Sequence, residues 1–330
     1  MVQLQKVHGS QNQFFLLDQT QLKAPLTKEE LANLAQQITR RDTGLLNGAD
    51  GLLVVSKSHH PQVLGKMQVI NADGSFASMC GNGLRTVGRY LAQKYHKDKE
   101  TFKVETMQSD LRVSCKPDWA QDVKAVSVEI SPVSFQASDL PFTNLGATEL
   151  INQKVPEFAP NLKFSAVAVP NPHLISLVPN NILQSNLLEK LGTRLNQKNP
   201  YFPDGVNVSF AQVLNAHHLF VRTFERGVGF TNACGTGMSA ASLVYALTYP
   251  QEHLFGQLLT ISNPGGFVQT KLHRTAHSYW IELIGNATIT HYIDVTEGEL
   301  HEKQPDFSNF KITSTTENEA YQKFMATHHK

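Results

Sequence analysis

Two cysteines stand in near-copies of one short motif: NADGSFASMCGNGLR carries Cys80 and ERGVGFTNACGTGMS carries Cys234. Each thiol has a phenylalanine four residues before it (Phe76, Phe230), and each is followed by Gly-x-Gly and a helix-like stretch. A helix N-terminus carries unpaired backbone N–H groups and a partial positive charge. A cysteine placed there is expected to ionise more readily than a free thiol, whose pKa is about 8.5. The same N–H groups can bind a carboxylate. Glycines at 81, 83, 235 and 237 let the backbone come close to a ligand. Two such thiols suit chemistry on both faces of one carbon. One thiolate removes the Cα proton of an amino acid, and the other thiol delivers a proton to the opposite face. Negative charge that builds on the substrate carboxylate meets preorganised N–H donors, each worth about 3 kcal/mol of barrier height. The scheme calls for no pyridoxal phosphate or other cofactor, and no lysine motif argues for one.

The blander readings weigh on single residues. A free cysteine alone is more often a small buried hydrophobe, which is the reading for Cys115 in LRVSCK. Two inert cysteines have no reason to share a Gly-x-Gly sequel. A Cys80–Cys234 disulfide would be unusual in a reducing compartment and is expected only as an oxidised, inactive form. With three cysteines in 330 residues, the chain is not a disulfide scaffold. A net charge of +1 offers no case for nucleic acid or an anionic membrane as partner. There is no apolar run of the roughly 18 residues that span a bilayer. MVQLQKVHGSQNQFF lacks a signal-peptide core, so a cytoplasmic location is expected. No CxxC or HExxH spacing supports a metal site, and none is expected. The pairs His59-His60, His217-His218 and His328-His329 read as surface or tail features.

Strand-like segments dominate: 52–55, 102–105, 123–130, 164–169, 206–212 and 219–223. Segments 267–272, 279–284 and 287–292 read as a closing meander after Pro264-Gly265-Gly266. After Cys80, residues Leu84, Val87, Leu91 and Tyr95 share one helical face. After Cys234, Met238 to Leu247 is apolar or small nearly all round, the mark of a helix enclosed by sheet. Thr27 and Glu30 form a capping box for a helix over 28–40, and another helix is expected over 186–195. The two motifs lie almost half a chain apart. An α+β fold follows, with two pseudo-symmetric halves, each a β-structure wrapped around a central helix. The expected divisions are 1–130, completed by 286–302, then 131–285, with 132–145 as crossover. Residues 303–330 read as a polar tail, with at most one short helix and no chemistry.

The chain resembles the diaminopimelate epimerase family over roughly residues 1–300. The resemblance rests on NADGSFASMCGNG, NPH at 171–173, FPDGVNVSF at 202–210 and ERGVGFTNACGTG. It implies a cofactor-independent two-thiol enzyme, with the active site in the cleft between the two halves and Cys80 and Cys234 as acid and base. The backbone at Gly81-Asn82 and Gly235-Thr236 would grip the reacting carboxylate. Asn71, Asn171, Asn207, Glu225 and Arg226 would hold the distal amino-acid end, Asn12 would add a substrate-side amide, and His173 would line the site. A planar Arg226 fork suits a carboxylate and Glu225 an ammonium. Taken singly, these asparagines are as often turn residues, and a Glu-Arg pair is more often a solvated surface feature.

Three positions depart from the family pattern. Phe76 and Phe230 stand where relatives usually carry Glu, and they are expected to play matched roles. Gly51 in NGADGLL replaces a glutamine, so one substrate-side hydrogen bond is missing or replaced. The opening HGSQNQF replaces HGLGNDF. The expected activity is epimerisation of LL-diaminopimelate to the meso isomer, a step toward lysine and peptidoglycan precursors. The substrate is a small amino acid, and a homodimer remains open. The alternatives are a racemase of the same kind acting on another amino acid such as histidine, a thiol acyl-transfer enzyme using His173, or a noncatalytic amino-acid binder.

Overall fold

The structure, a computed structural model, describes every residue except 78, 98, 99, 277, 329 and 330, and leaves out the side chain of His328. Ser78 of the first motif and the His328-His329 side chains therefore lie outside the described residues. The chain divides into two compact units: Met1–Val128 with Ile284–Lys330, and Glu129–Leu283.

The first unit opens with β1 (Val2–Gly9), β2 (Asn12–Asp18), α1 (Lys28–Ile38), β3 (Gly51–Ser56), β4 (Val63–Asn71) and β5 (Phe76–Ala77). It continues with α2 (Gly81–Tyr95), β6 (Thr101–Glu105), β7 (Asp110–Ala120) and β8 (Val123–Ile130). The strands β1/β2 pair antiparallel, β2/β3 parallel, β3/β4 and β4/β5 antiparallel, β4/β6 parallel, and β6/β7 and β7/β8 antiparallel. Helix α2 packs against β1, β2, β3, β4 and β7. Helix α1 starts where the sequence places it. Thr27 accepts from the Glu30 N–H, and the Glu30 carboxylate takes the Thr27 N–H in return. It buries Leu31, Leu34, Ala35 and Ile38, one stripe at helical spacing, in a cluster with Leu52, Val54 and Ile70. Each such side chain removed from water contributes about 2 kcal/mol.

The second unit holds β9 (Gln153–Lys154), β10 (Lys163–Ala168), β11 (Pro172–Leu177), α3 (Asn180–Leu183), α4 (Leu187–Asn196) and β12 (Asn207–Asn215). There follow β13 (His218–Glu225), β14 (Gly229–Phe230), α5 (Gly235–Thr248), β15 (Leu258–Asn263), β16 (Gly266–Arg274) and β17 (Tyr279–Asn286), whose residues 284–286 belong to the first unit. The pairing order repeats: β10/β11 antiparallel, β11/β12 parallel, β12/β13 and β13/β14 antiparallel, β13/β15 parallel, β15/β16 antiparallel. Helix α5 packs against β10, β11, β12, β13, β15 and β16. Every residue from Gly237 to Ala246 is buried, which is why its sequence has no polar face. The two halves are thus built alike, and α2 and α5 are equivalent.

The C-terminal segment departs from expectation. β18 (Thr288–Val295) leaves the expected meander to pair antiparallel with β1. After α6 (Glu297–His301), β19 (Lys311–Ser314) pairs with β18, and α7 (Glu317–His328) follows. Residues 303–330, read from sequence as a tail, thus carry a strand and a helix of the first unit. Tyr321 is fully buried, and Phe310, Phe324 and Met325 are nearly so. The Glu317 carboxylate takes both Nη atoms of Arg89 on α2, at 2.6 and 2.7 Å, and the Ile289 N–H at 2.8 Å. The segment's polarity hid this, because one buried ion pair and a few aromatics do the docking. A smaller difference is Tyr95, which the face of α2 leaves exposed.

Candidate active site

In the first half, Cys80 is the N-cap of α2, with extended backbone (φ −144°, ψ 112°). Its Sγ accepts the Gly83 N–H at 3.4 Å, so the thiol itself serves the helix end. Asn12, at the start of β2, turns its Oδ1 toward Cys80 Sγ (3.7 Å) and the Asn82 Nδ2 (3.2 Å). The opposite edge of the Asn12 amide donates to Asp50 Oδ2 at 2.7 Å. Asp50 also takes the Gln13 N–H at 2.8 Å and pairs with Arg41. A carboxylate accepts only, so Asp50 dictates which way the Asn12 amide faces. Asn71 stands at the exposed end of β4 opposite Gly51, where its Nδ2 donates to Ser75 within its own turn (2.9 Å). A Cβ on Gly51 would sit 2.4 Å from the Ile70 carbonyl, so a side chain there requires the strand pair to shift.

In the second half, Cys234 caps α5 in the same way (φ −125°, ψ 97°). It is buried, and Sγ lies 3.6 Å from Thr236 Oγ1. Thr236 Oγ1 in turn meets His173 Nε2 at 3.1 Å, and that nitrogen lies 3.2 Å from Asn171 Oδ1. His173 is fully buried, and burial followed by the Arg226 charge pushes its pKa down to about 3, so it is neutral at physiological pH. Asn207 ties two strand ends together: its Nδ2 donates to the Pro172 carbonyl (3.1 Å), and its Oδ1 accepts the Arg226 N–H (2.8 Å). The Arg226 guanidinium donates to the Asp204 carbonyl (3.1 Å). Glu225 accepts from Thr231, and its carboxylate also faces Cys234.

The glycine that ends each Gly-x-Gly has a packing cause. A Cβ on Gly83 would meet Leu53 Cδ2 at 2.6 Å, and one on Gly237 would meet Thr223 Oγ1 at 2.9 Å. The same Gly237 Cβ position lies 3.2 Å from Ser209 Oγ on β12, the strand equivalent to the β3 that carries Leu53, so both central helices press their first turn onto equivalent strands. Strand registers make Asn12 the counterpart of Asn171, Asn71 of Glu225, and Gly51 of Asn207.

Two expectations fail. Neither thiol is acidified. Burial pushes the Cys80 thiol up, partly offset by the Gly83 N–H and the Arg85 charge. Burial, and then the Glu225 carboxylate, push Cys234 up to about 12. Loss of water outweighs the helix end, whose effect on a charge is about 1 kcal/mol. Phe76 and Phe230 are also not matched. Phe76 packs against the α1 core, whereas Phe230 is 44% exposed, edge-on to Phe224 and 4.8 Å from the Arg222 guanidinium. Sequence reasoning passed over Asp50, Thr231 and Asp204. Asp50 stands in the quoted NGADGLL, but its bond to Asn12 depends on the β2/β3 pairing.

Comparison with known proteins gives a consistent answer. The family model for diaminopimelate epimerase matches residues 4–135 and 165–290. A diaminopimelate epimerase of Lactiplantibacillus plantarum is 54% identical over 98% of both chains. One from Enterococcus faecalis is 51% identical over 99% of this chain and 98% of its own. Among solved structures, a Bacillus anthracis phenazine biosynthesis protein of the PhzF family shares the fold at 14% identity. Its TM-score is 0.59, with 89% of this chain and 99% of that one covered. The repeated halves, the paired N-cap thiols and the matched length agree: this chain belongs to the diaminopimelate epimerase family.

Proposed function

We propose that this chain epimerises LL-2,6-diaminopimelate to the meso isomer by a two-base thiol mechanism that calls on no cofactor. The observation that carries the reading is the pair of cysteines at equivalent N-caps of two equivalent helices. One cysteine, as thiolate, takes the Cα proton; the other, as thiol, gives a proton to the opposite face. Afterwards the first is a thiol and the second a thiolate, so the pair resets by exchanging one proton with solvent. N–H groups at Gly81-Asn82 and Gly235-Thr236 receive the reacting carboxylate, whose charge grows as the Cα proton leaves. Asn12 contacts Cys80 and Asn82, and His173 contacts Thr236, so both steady residues that meet the substrate.

A substrate with two amino-acid ends also needs a second grip. Glu225 suits its distal ammonium and Arg226 its distal carboxylate, with Asn71, Asn171 and Asn207 as neutral partners. Asn207 already fixes the backbone from which Arg226 projects. In the cell this places the chain in the cytoplasm, on the route to lysine and peptidoglycan precursors. Among the described residues no helix is long and apolar enough to cross a membrane.

Cα deuterium exchange tests the reading, run under reducing conditions with diaminopimelate, histidine, lysine and glutamate. Exchange is expected with diaminopimelate alone, and epimerisation is expected to vanish in Cys80→Ala and in Cys234→Ala. Near-normal turnover in either variant would remove the two-base scheme. Exchange with histidine instead would move the chain to the other racemase reading, for which the Phe76, Phe230 and Gly51 departures leave room.

A further inference from the structure

Arg85, five residues after Cys80 on α2, is fully buried and heads the largest side chains so enclosed. Its hydrogen bonds go to neutral groups: Nε donates to the Asn286 carbonyl (3.1 Å) and Nη2 to Ser10 Oγ (3.0 Å), while Nη1 has no partner among the described residues. A cation without an anion is costly in a protein interior. The fold nevertheless makes room for it. A Cβ on Gly285 would lie 2.6 Å from Arg85 Cζ, and one on Gly9 would lie 2.9 Å from both Arg85 Nη2 and the Asn82 carbonyl. Two glycines thus form a slot for the guanidinium, directly behind the first turn of α2.

The charged groups around this slot are otherwise engaged. From α7, Glu317 is engaged by Arg89, and Tyr321 presents a hydroxyl with no hydrogen-bond partner among the described residues. From β1, His8 is neutral. Its Nδ1 receives the Gln11 N–H and the Asn286 amide, which leaves the proton on Nε2, facing Asn318. Burial pushes its pKa down to about 4. Asp50, before β3, is held by Asn12, Gln13 and Arg41. Two ionisable groups answer Arg85: first the Tyr321 hydroxyl, whose pKa burial pushes up to about 12 so that it stays neutral, and then Cys80; Arg85 and Cys80 each favour the charged form of the other. The second half is built oppositely. Ser239 occupies the place equivalent to Arg85, its hydroxyl bonded to the Gly235 carbonyl (2.9 Å), and Cys234 has the Glu225 carboxylate as neighbour.

We propose that Arg85 is a positioning residue that divides the labour between the thiols: its clamped charge makes Cys80 the more readily ionised of the two and leaves Cys234 the resting thiol. This rests on the two-thiol reading and adds the order of events, with Cys80 taking the first proton from the isomer whose Cα–H it faces.

The test is alkylation by iodoacetamide across pH on the reduced, full-length protein, read peptide by peptide by mass spectrometry. In the unaltered chain Cys80 is expected to react at lower pH than Cys234. Arg85→Met should move the Cys80 midpoint up by about one pH unit, roughly tenfold less thiolate at neutral pH. Cys115 should stay unchanged, and Arg85→Lys should restore much of the shift. An unmoved Cys80 midpoint in a folded Arg85→Met overturns the proposal, as does Cys234 reacting at lower pH than Cys80 in the unaltered chain. If Arg85→Met does not fold, Ser10→Ala removes one clamp and should raise the Cys80 midpoint by a few tenths of a unit; no shift there overturns it equally. The readout needs no turnover, so it fails separately from the two-base scheme, which the cysteine substitutions test.

Discussion

Asn12 has two different edges, and Asp50 decides which one Cys80 meets. Removing the carboxylate lets the amide turn over and frees the Gln13 N–H. Losing such a charge-assisted bond costs about 2 kcal/mol, or roughly thirtyfold in rate. Asp50→Ala is therefore expected to lower kcat/KM for diaminopimelate about thirtyfold while leaving the fold intact. A loss under twofold, measured by coupled assay with circular dichroism as a check, would contradict the assigned role. Individual residues were unevenly legible. Cys80 and Cys234 stood out because the same motif occurs twice. Asp50 did not, because its partner is set by the pairing of β2 with β3. Arg85 read as one more polar helix residue, since nothing local says that two distant glycines make room for it. The expected acid thiols were wrong because a motif shows the helix end but not how much water is lost there.

Helices α2 and α5 were legible from periodicity and composition, and α1 from its capping box, since these signals are local. Helix α7 was not, because its docking depends on Glu317 finding Arg89 far away in sequence. How tightly α2 lies on the sheet can be tested at Gly88. A Cβ there would meet Val113 Cγ1 at 2.3 Å. Alanine gains about 1 kcal/mol of helix propensity over glycine. Overpacking a closed interior typically costs about 1–3 kcal/mol. At this distance the clash should win, so Gly88→Ala is expected to melt at lower temperature. Val113→Ala in the same chain should recover part of the loss. A single variant that melts higher would mean the helix stands further off the strands than described.

Across the molecule, buried neutral histidines make stability depend on acid. His8 and His173 have pKa values of about 4 and about 3 in the folded chain, against 6.5 when unfolded. Above pH 6.5 both states leave them neutral and the full stability is present. As pH falls below 6.5, the unfolded chain binds protons that the folded chain refuses, and stability drains away down to those lower values. The loss for His8 alone is on the order of 3 kcal/mol by pH 4. Urea unfolding at pH 7.5, 6 and 5 should show this decline, and His8→Gln should flatten it; an equal slope in the variant would rule His8 out. Glu317→Ala should destabilise at all these pH values by about 3 kcal/mol, because Arg89 keeps its charge without a partner.

Strand β1 is paired on one side by β2 and on the other by β18, so the first strand made has as neighbour one of the last. A ribosome releases residues 129–283 with their own ladders available before β18 exists. Until then the nascent β1 waits with one edge bare, a template for stray pairing. The middle of this polypeptide can mature early, while its beginning must be finished by its end.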